Sequence, residues 1–323
     1  MTNVLVTGAG GPAAISFMKS VEADDILLFV ADMDQLASGL YMVPKERRVL
    51  LPAGASEDFV DALLQSCIRM KIDVVVPTVD TELIPVALAE KRFAAHGIAI
   101  LQMGARTLHT CLDKFLLAQA CNDSVRVPRT ELFDESVDVS TWSFPLVVKP
   151  RTGSGSKGVK IIHSAKELEQ TEKSPALIIQ EFLPGDEYSV DVLANSKGEV
   201  VAAVPRERMK IDSGVAVTSR VVLDQELIDA ATQVAQTVGV QFVANVQLRR
   251  DAHGNPCLLE VNPRFPGTMT LTVASGVNMP SLALRHRLGA PLNDAPSPNA
   301  VAMVRYLEDI VLPVQELASL APA

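Results

Sequence analysis

The chain has 323 residues, enough for two or three compact units, and its 48% hydrophobic and 21% charged residues are typical of a folded globular protein. Its 29 Lys and Arg against 38 Asp and Glu give a net charge of −9, the wrong sign for binding nucleic-acid phosphates. The four cysteines lack disulfide or metal-ligand spacing, and Met1–Gly11 lacks a secretory signal. No apolar run approaches the roughly 20 residues of a membrane span, so we expect a cytoplasmic protein without membrane or nucleic-acid partners.

Strand-like and helix-like segments alternate through the first hundred residues. This rhythm is typical of a parallel sheet with crossover helices, and it predicts an α/β, Rossmann-like domain over residues 1–105. The strand-like runs are Val4–Thr7, Ile26–Val30, Val49–Leu51, Val74–Val76 and Ile98–Leu101, and the clearest helical stretches are Phe59–Met70 and Glu82–Ala94.

A glycine turn follows the first predicted strand. Gly8 and Gly10 precede Pro12, which suits the first turn of a helix, and Asp32 comes about 20 residues later. This arrangement resembles a dinucleotide-binding fingerprint, but Ala13 occupies the place of its third glycine. The pattern therefore leaves two alternatives, an NAD-dependent oxidoreductase or a Rossmann-like lobe that binds no nucleotide.

A second glycine-rich loop lies between two apolar strands in the next part of the chain. A helix is predicted over Thr107–Cys121, followed by strands at Pro145–Lys149 and Val159–Ile162. The loop between these strands, residues 151–158, can surround an anion with backbone N–H groups, although it lacks the residue order of a P-loop. Because Lys149 ends an apolar run, its burial needs an anionic partner such as a nucleotide phosphate.

A polar face is predicted on a hairpin near residue 250. Glu260 and Asn262 alternate with apolar neighbours on one strand, so both point to the same face. If the hairpin turns about His253-Gly254, Gln247 lies directly opposite Glu260. Such oxygen donors suit Mg²⁺, which takes one or two carboxylates and completes its shell with substrate phosphates. Arg264, next along the chain, is suited to pair with a phosphoryl group.

These pieces, in this order, resemble the ATP-grasp superfamily, and most closely the synthetase units of the carbamoyl phosphate synthetase large chain. The resemblance rests on Asp113-Lys114, on Val148-Lys149-Pro150 with the glycine loop, on the Gln180–Asp191 segment, and on the hairpin. It implies that a pre-ATP-grasp domain is followed by a two-lobed α+β ATP-grasp fold. The implied lobes are residues 106–177, with the glycine loop, and 178–323, with the hinge and the metal site.

The resemblance also implies roles for individual residues. Glu181 and Leu183 face adenine, and Glu187 faces the ribose hydroxyls. The implied nucleotide-binding residues are Lys114, Lys149, Gly153, Ser154, Gly155, Ser156, Gly158, Glu181, Phe182, Leu183 and Glu187; the implied metal ligands are Gln247, Glu260 and Asn262; and the implied catalytic residues are Arg264, Lys157 and Arg208.

Two further groups of charged residues bear on the substrates. Four cations, Arg206, Arg208, Lys210 and Arg220, are expected near the mouth of the site, where Arg suits a carboxylate and its phosphorylated form; the alternative is a charged strand edge. In the first domain, Asp80 or Glu82 could bind a substrate amine. The alternative there is a helix N-cap by Thr78 or Asp80.

The sequence as a whole predicts an ATP- and Mg²⁺-dependent ligase, with Mn²⁺ as a substitute metal. By resemblance, it would phosphorylate a small-molecule carboxylate to an acyl phosphate, which an amine or ammonia then attacks. A homodimer is the oligomeric state to test. Two alternatives stay open: the NAD-dependent oxidoreductase, and a nucleotide-binding regulatory module without ligation.

Overall fold

A computed structural model describes residues 1–21, 25–153, 155, 157–212 and 214–317. Its first unit is a parallel five-stranded sheet of order β3-β2-β1-β4-β5, as the alternating pattern predicts. Two short 3-10 helices, Ser38–Met42 and Lys45–Arg47, precede β3. The elements of this unit are β1 (Thr2–Val6), α1 (Pro12–Ser20), β2 (Ile26–Asp32), β3 (Arg48–Leu50), α2 (Phe59–Met70), β4 (Val74–Val76), α3 (Asp80–Leu88), α4 (Glu90–Ala94) and β5 (Ala99–Ile100).

Two helices that the sequence predicts as continuous are each divided in the structure. The segment Glu82–Ala94 forms α3 and α4, which meet at Ala89. The segment Thr107–Cys121 forms α5 (Ala105–Leu112) and α6 (Lys114–Cys121), because Asp113 leaves the helical conformation and caps α6. Its carboxylate accepts hydrogen bonds from the N–H groups of Phe115 and Leu116 at 2.9 and 3.2 Å. This break places Lys114 at the first position of a new helix.

The second unit is an antiparallel four-stranded sheet of order β6-β9-β7-β8. Its core includes Phe133, Trp142 and Leu146. Strand β9 lies wholly in this sheet, whereas the predicted lobe boundary at residue 177 would divide it, and the lobe limits stay a prediction. The elements are β6 (Thr130–Leu132), a 3-10 helix (Val139–Thr141), β7 (Leu146–Pro150), β8 (Lys160–Ile162), α7 (Ala165–Glu169) and β9 (Leu177–Glu181).

The third unit is an antiparallel six-stranded sheet of order β14-β13-β10-β11-β12-β15. No helix among the described residues is long and apolar enough to cross a membrane. The elements are β10 (Glu187–Ala194), β11 (Val200–Asp212), β12 (Val215–Val221), α8 (Gln225–Val238), β13 (Phe242–Arg250), β14 (Pro256–Asn262), α9 (Met269–Ala274), α10 (Met279–Arg287), β15 (Ala302–Val304) and α11 (Val314–Leu317).

Shared apolar cores attach the six-stranded sheet to its neighbours. One core joins Phe17 of α1 and Val4 of β1 to Leu193 of β10 and Met269 of α9, so the first unit packs directly on the third. On the other face, α5, α6 and α8 share a core with β10 and β13. Burial of these side chains fixes the position of the parallel sheet beside the six-stranded sheet.

The β13–β14 hairpin has the predicted pairing. Gln247 lies opposite Glu260, and Asn245 lies opposite Asn262, with a register shift between Gln247 and Leu248. The Nδ2 atom of Asn262 lies 3.2 Å from Oε1 of Glu260, so these two side chains share a face. Val261, between them, is 3% exposed and packs in the core on the opposite face. Strand alternation therefore separates a polar face from the core at this hairpin.

Candidate functional site

A cleft of about 500 Å³ lies between the four-stranded and six-stranded sheets, and the edge of the parallel sheet forms part of its wall. Of the nucleotide-binding, metal and catalytic residues that the resemblance implies, only Ser154 and Ser156 lie outside the described residues, and only Gly158 is described but away from the wall. Those on the wall are Lys114, Lys149, Gly153, Gly155, Lys157, Glu181, Phe182, Leu183, Glu187, Arg208, Gln247, Glu260, Asn262 and Arg264.

Two lysines and one carboxylate meet in one corner of the cleft. The ammonium of Lys114 donates to the carbonyl oxygen of Gly153 at 2.8 Å and lies 3.4 Å from Oε2 of Glu260. Burial lowers the pKa of Lys149 to about 8; the charge of Lys114 adds to this effect, while Glu260 and Glu187 oppose it. An anion in this corner would favour the charged form of Lys149, which makes the corner suited to phosphate.

The polar face of the β13–β14 hairpin offers oxygen donors for a hard cation. Glu260 supplies the carboxylate, and Gln247 and Asn262 supply amide oxygens, all on the cleft wall. One carboxylate and two amides fit Mg²⁺, because this ion prefers oxygen ligands and completes its shell with water and substrate phosphates. The ammonium of Lys114 beside Glu260 shows that this carboxylate already attracts a cation.

The hinge between β9 and β10 also lines the cleft. Leu183 is buried at 3% exposure, and the guanidinium of Arg249 lies 5.9 Å from the ring centre of Phe182. Glu181 Oε2 accepts a hydrogen bond from the N–H of Arg129 at 3.3 Å. Glu187 Oε1 lies 2.9 Å from Nε of Arg208. This wall therefore combines apolar surface with two carboxylates, a composition suited to a base and a sugar.

Two turns meet at the rim of the cleft. A Cβ on Gly214, in the β11–β12 turn, would lie 2.7 Å from Cα of Gly155 in the glycine loop, so glycine permits this approach. Arg208 Nη2 donates to the carbonyl oxygen of Gly214 at 3.0 Å. Gly158 has a φ of +75°, and a Cβ there would lie 3.0 Å from Pro150, which gives this glycine a turn role.

Of the four cations expected near the mouth of the site, only Arg208 lies on the described cleft wall. Arg206 is fully buried, and its Nη2 lies 2.6 Å from Oδ1 of Asp191. It also donates to Thr268, so it belongs to a buried network beneath the cleft. Lys210 is exposed, and Arg220 pairs with Glu207. The expectation was wrong for Arg206 and Arg220, because their partners come from sheet pairing. The place of Lys210 near the mouth of the site stays a prediction.

The predicted amine role of Glu82 is also wrong. This carboxylate is 3% exposed, and its Oε1 accepts hydrogen bonds from the N–H groups of Thr78 and Val79 at 2.8 and 2.9 Å. Burial raises its pKa. Val79 is the N-cap residue of α3, so neither Thr78 nor Asp80 has that position. Glu82 secures the start of α3 and does not offer a free carboxylate to a ligand.

The glycine turn after β1 forms part of the cleft wall, and Gly8 packs against the start of α3. Gly8 has a φ of +64°, and a Cβ there would lie 2.3 Å from Cγ2 of Val79. Asp32 Oδ2 accepts a hydrogen bond from the N–H of Gly10 at 2.8 Å, and its Oδ1 accepts one from Asp34 at 2.9 Å. The acidic residue of the dinucleotide-like pattern is therefore engaged by the turn itself. This geometry disfavours the oxidoreductase alternative.

Polar residues that the sequence reasoning did not assign to the site also lie on the cleft wall, among them Asn245, Arg249 and Thr268. Asn245 and Arg249 lie on the wall at positions that alternate with Gln247 along β13, so strand periodicity could have identified them. Asn245 Nδ2 donates to Asp191 at 2.7 Å, which connects the wall to the buried network. Thr268 follows β14 in a loop, and no local pattern in the sequence marks it.

Two family models match the chain. The family described as "PylC-like, N-terminal domain" matches residues 4–101, which contain the parallel sheet. The family described as "ATP-grasp in the biosynthetic pathway with Ter operon" matches residues 173–310, which contain the hinge and the six-stranded sheet. The two matches fall on the two kinds of unit that the sequence pattern predicts.

A curated relative agrees with the resemblance seen in the motifs. The carbamoyl phosphate synthase large chain of Clostridium perfringens strain SM101 is 27% identical over 188 residues. This match covers 53% of the present chain but spans only 17% of the length of that relative. The match therefore shows that this part of the chain is similar to one segment of that relative.

Two solved structures show the same fold at low sequence identity. The N5-carboxyaminoimidazole synthetase of Staphylococcus aureus, complexed with ADP, has a TM-score of 0.75 and 16% identity, with 95% of this chain and 82% of that chain covered. The L-amino acid ligase of Bacillus licheniformis has a TM-score of 0.68 and 20% identity, with 90% and 74% covered. In its motifs and fold the chain thus resembles the ATP-grasp superfamily: residues 173–310 match an ATP-grasp family model, and the PylC-like match at residues 4–101 lies ahead of them.

Proposed function

We propose that the chain is an ATP- and Mg²⁺-dependent ligase that joins a carboxylate to an amine or ammonia through an acyl phosphate. The observation that carries this proposal is the meeting of Lys114, Lys149, Glu260 and Arg264 on one cleft wall. The names of the similar proteins, an L-amino acid ligase and an N5-carboxyaminoimidazole synthetase, support a ligase acting on small molecules. The identities of the acid and the amine are not part of the proposal.

In the first step, an oxygen of the substrate carboxylate forms a bond to the γ-phosphorus of ATP, and the bond from that phosphorus to the leaving ADP oxygen breaks. Lys149 and Arg264 offset the negative charge on the phosphoryl group in this step. Glu260, Asn262 and Gln247 would hold Mg²⁺. When bound, this ion neutralises phosphate charge.

In the second step, the amine nitrogen bonds to the carbonyl carbon, the bond from that carbon to the phosphate oxygen breaks, and phosphate and a proton leave. The acyl phosphate must be kept from water until the amine arrives. The meeting of the glycine loop with the β11–β12 turn at Gly155 and Gly214 supports a role for both turns in this exclusion. We assign Lys157, which belongs to the glycine loop and lies on the cleft wall, to the same rim.

A screen of carboxylate and amine pairs for release of ADP and phosphate tests the proposal. We expect at least one pair for which ADP release requires both Mg²⁺ and the carboxylate. ATP binding without ADP release for any pair would instead support the regulatory module. An Arg264→Gln variant, which keeps a polar side chain but removes the charge, is the control. Lower ADP release by this variant would identify the cleft as the place of the reaction.

A further inference from the structure

An ion pair links the parallel-sheet domain to the ATP-grasp lobes inside the cleft. Nε of Arg264 lies 2.6 Å from Oδ1 of Asp80, and its Nη2 lies 3.5 Å from Oδ2. Arg264 follows β14 of the six-stranded sheet, whereas Asp80 is the first residue of α3. Both side chains lie on the cleft wall and are about four-fifths buried, at 17% and 21% exposure. The contact therefore joins two units at the candidate site.

The ion pair leaves part of the Arg264 guanidinium available. An arginine has five N–H donors in a planar fork. Asp80 accepts from Nε and Nη2, and the carbonyl oxygen of Phe265 accepts from Nη1 at 3.3 Å. No hydrogen bond within the described parts of the chain engages the other two donors. A side chain anchored along one edge in this way retains donors for a phosphoryl oxygen.

Asp80 is itself firmly held. It begins α3, and the start of this helix is fixed by the buried carboxylate of Glu82, which accepts from the N–H groups of Thr78 and Val79. Val79 in turn lies against the Gly8 turn of the parallel sheet. The carboxylate of Asp80 is therefore presented from the end of a packed sheet, a rigid mount for a residue that must orient another.

We infer that Asp80 is a positioning residue for Arg264: the parallel-sheet domain supplies the carboxylate that holds the guanidinium where it meets the γ-phosphate. This inference rests on the proposed function, since it takes Arg264 as the residue that faces the transferred phosphate. It gives the parallel-sheet domain a direct part in phosphate recognition and replaces the expectation that Asp80 binds a substrate amine.

The test compares two nucleotides that differ at the γ-phosphate. Binding of MgADP and of the Mg²⁺ complex of β,γ-imido-ATP is measured by calorimetry on the full chain, for wild type, Asp80→Asn, Arg264→Gln and the double variant. We expect Asp80→Asn to weaken the imido-ATP complex about tenfold and to leave MgADP within about twofold. Arg264→Gln should do at least as much. The double variant should resemble Arg264→Gln, because the two residues act as one unit.

Two controls separate positioning from simple loosening of the domains. Arg287 makes another contact between the units, with Nε donating to the carbonyl oxygen of Ile100 at 2.9 Å, and lies off the described wall of the cleft. Arg287→Gln should leave the ratio of the two affinities unchanged. Asp80→Glu keeps the carboxylate and should restore part of the imido-ATP affinity that Asp80→Asn loses.

Several results would overturn the inference. It fails if Asp80→Asn leaves the affinity ratio at the wild-type value, or if it weakens both nucleotides equally, which indicates a structural effect. It also fails if Arg264→Gln does not change the ratio. If wild type binds neither nucleotide, the proposed function itself fails, and that outcome is distinct because no variant is needed to see it.

Discussion

Two places in the molecule combine a glycine turn with charged residues, and they differ in how those residues are satisfied. At the carboxyl end of the parallel sheet, Asp32 is engaged by the backbone of its own turn, and Gly8 packs against Val79. In the cleft between the lobes, Lys149 is buried with a lowered pKa, and Lys114 is shared between Gly153 and Glu260. At the first place the protein itself supplies the hydrogen-bond partners of the carboxylate. At the second place a bound anion would stabilise the charged form of the buried lysine.

The partners of the charged residues therefore indicate whether a glycine motif serves the fold or a ligand. A turn whose glycines and acid bond to each other serves the fold, whatever its resemblance to a nucleotide fingerprint. A glycine loop beside buried cations serves a ligand, because a buried charge needs a partner. Changes at the buried charges should therefore affect nucleotide turnover and binding, whereas changes at the Gly8 turn should affect the stability of the fold.

The largest effect is expected at Glu260. Glu260→Gln keeps the size of the side chain but removes the charge that a divalent cation needs, so ATP turnover should fall by about a hundredfold or more while the protein stays folded. The measurement is ADP release as a function of Mg²⁺ concentration, with the melting temperature recorded in parallel. Turnover equal to wild type at limiting Mg²⁺ would remove Glu260 from the metal site.

Val261→Ala is the matched control for Glu260→Gln, one residue along the same strand. Val261 packs in the core on the opposite face, so its truncation should cost about 1–2 kcal/mol of stability and change the Mg²⁺ dependence little. The two variants should thus show opposite phenotypes, because strand alternation separates their surroundings. Equal loss of stability in both would contradict that separation.

At the parallel sheet, Gly8→Ala should destabilise the fold by about 1–3 kcal/mol, because a Cβ would overlap Val79 and the backbone has a positive φ. Gly97→Ala is the control, since Gly97 also has a positive φ, +73°, but its Cβ would meet nothing within 4 Å. Chemical denaturation of both variants measures the difference. Equal destabilisation would show that the contact with Val79 contributes nothing.

A smaller effect is expected from Lys149 as the pH rises. Its pKa is lowered to about 8, so above that pH the nucleotide-free protein loses the ammonium that phosphate binding favours. Affinity for MgATP should then fall by up to about tenfold between pH 8 and 9. Lys149→Arg keeps its charge through this range and should flatten the curve, whereas Lys157→Arg should keep the wild-type decline. Parallel curves for wild type and Lys149→Arg would refute the assignment.

Local pattern was sufficient for much of the fold and of the site. Alternation along β14 places Glu260 and Asn262 on one face, and a short turn fixes Gln247 opposite Glu260. The apolar run before Lys149 indicates burial, and the structure has that residue 8% exposed. In each case the relevant neighbours are close in sequence, so the periodicity of one element carries the information.

Features that depend on distant partners were not predictable in this way. Arg206 looks like a site cation in sequence, but Asp191 neutralises it across two paired strands. The interdomain pair of Asp80 and Arg264 joins residues 184 positions apart.

The break at Asp113 is a local feature that the helix prediction missed, because the apolar spacing continues across it. The preference of Asp for the N-cap position was a signal that could have indicated the break.

The central claim is that ATP binds in the cleft beside Lys149 and the β13–β14 hairpin, and that the Gly8 turn, which forms part of the wall of this cleft, does not bind NAD. The most direct test is the melting temperature of the wild-type chain with Mg²⁺ and ATP compared with NAD. At about a hundred times its dissociation constant, MgATP should stabilise the fold by roughly 2.7 kcal/mol and raise the melting temperature, and NAD should leave it unchanged. A rise with NAD and none with MgATP would contradict the claim.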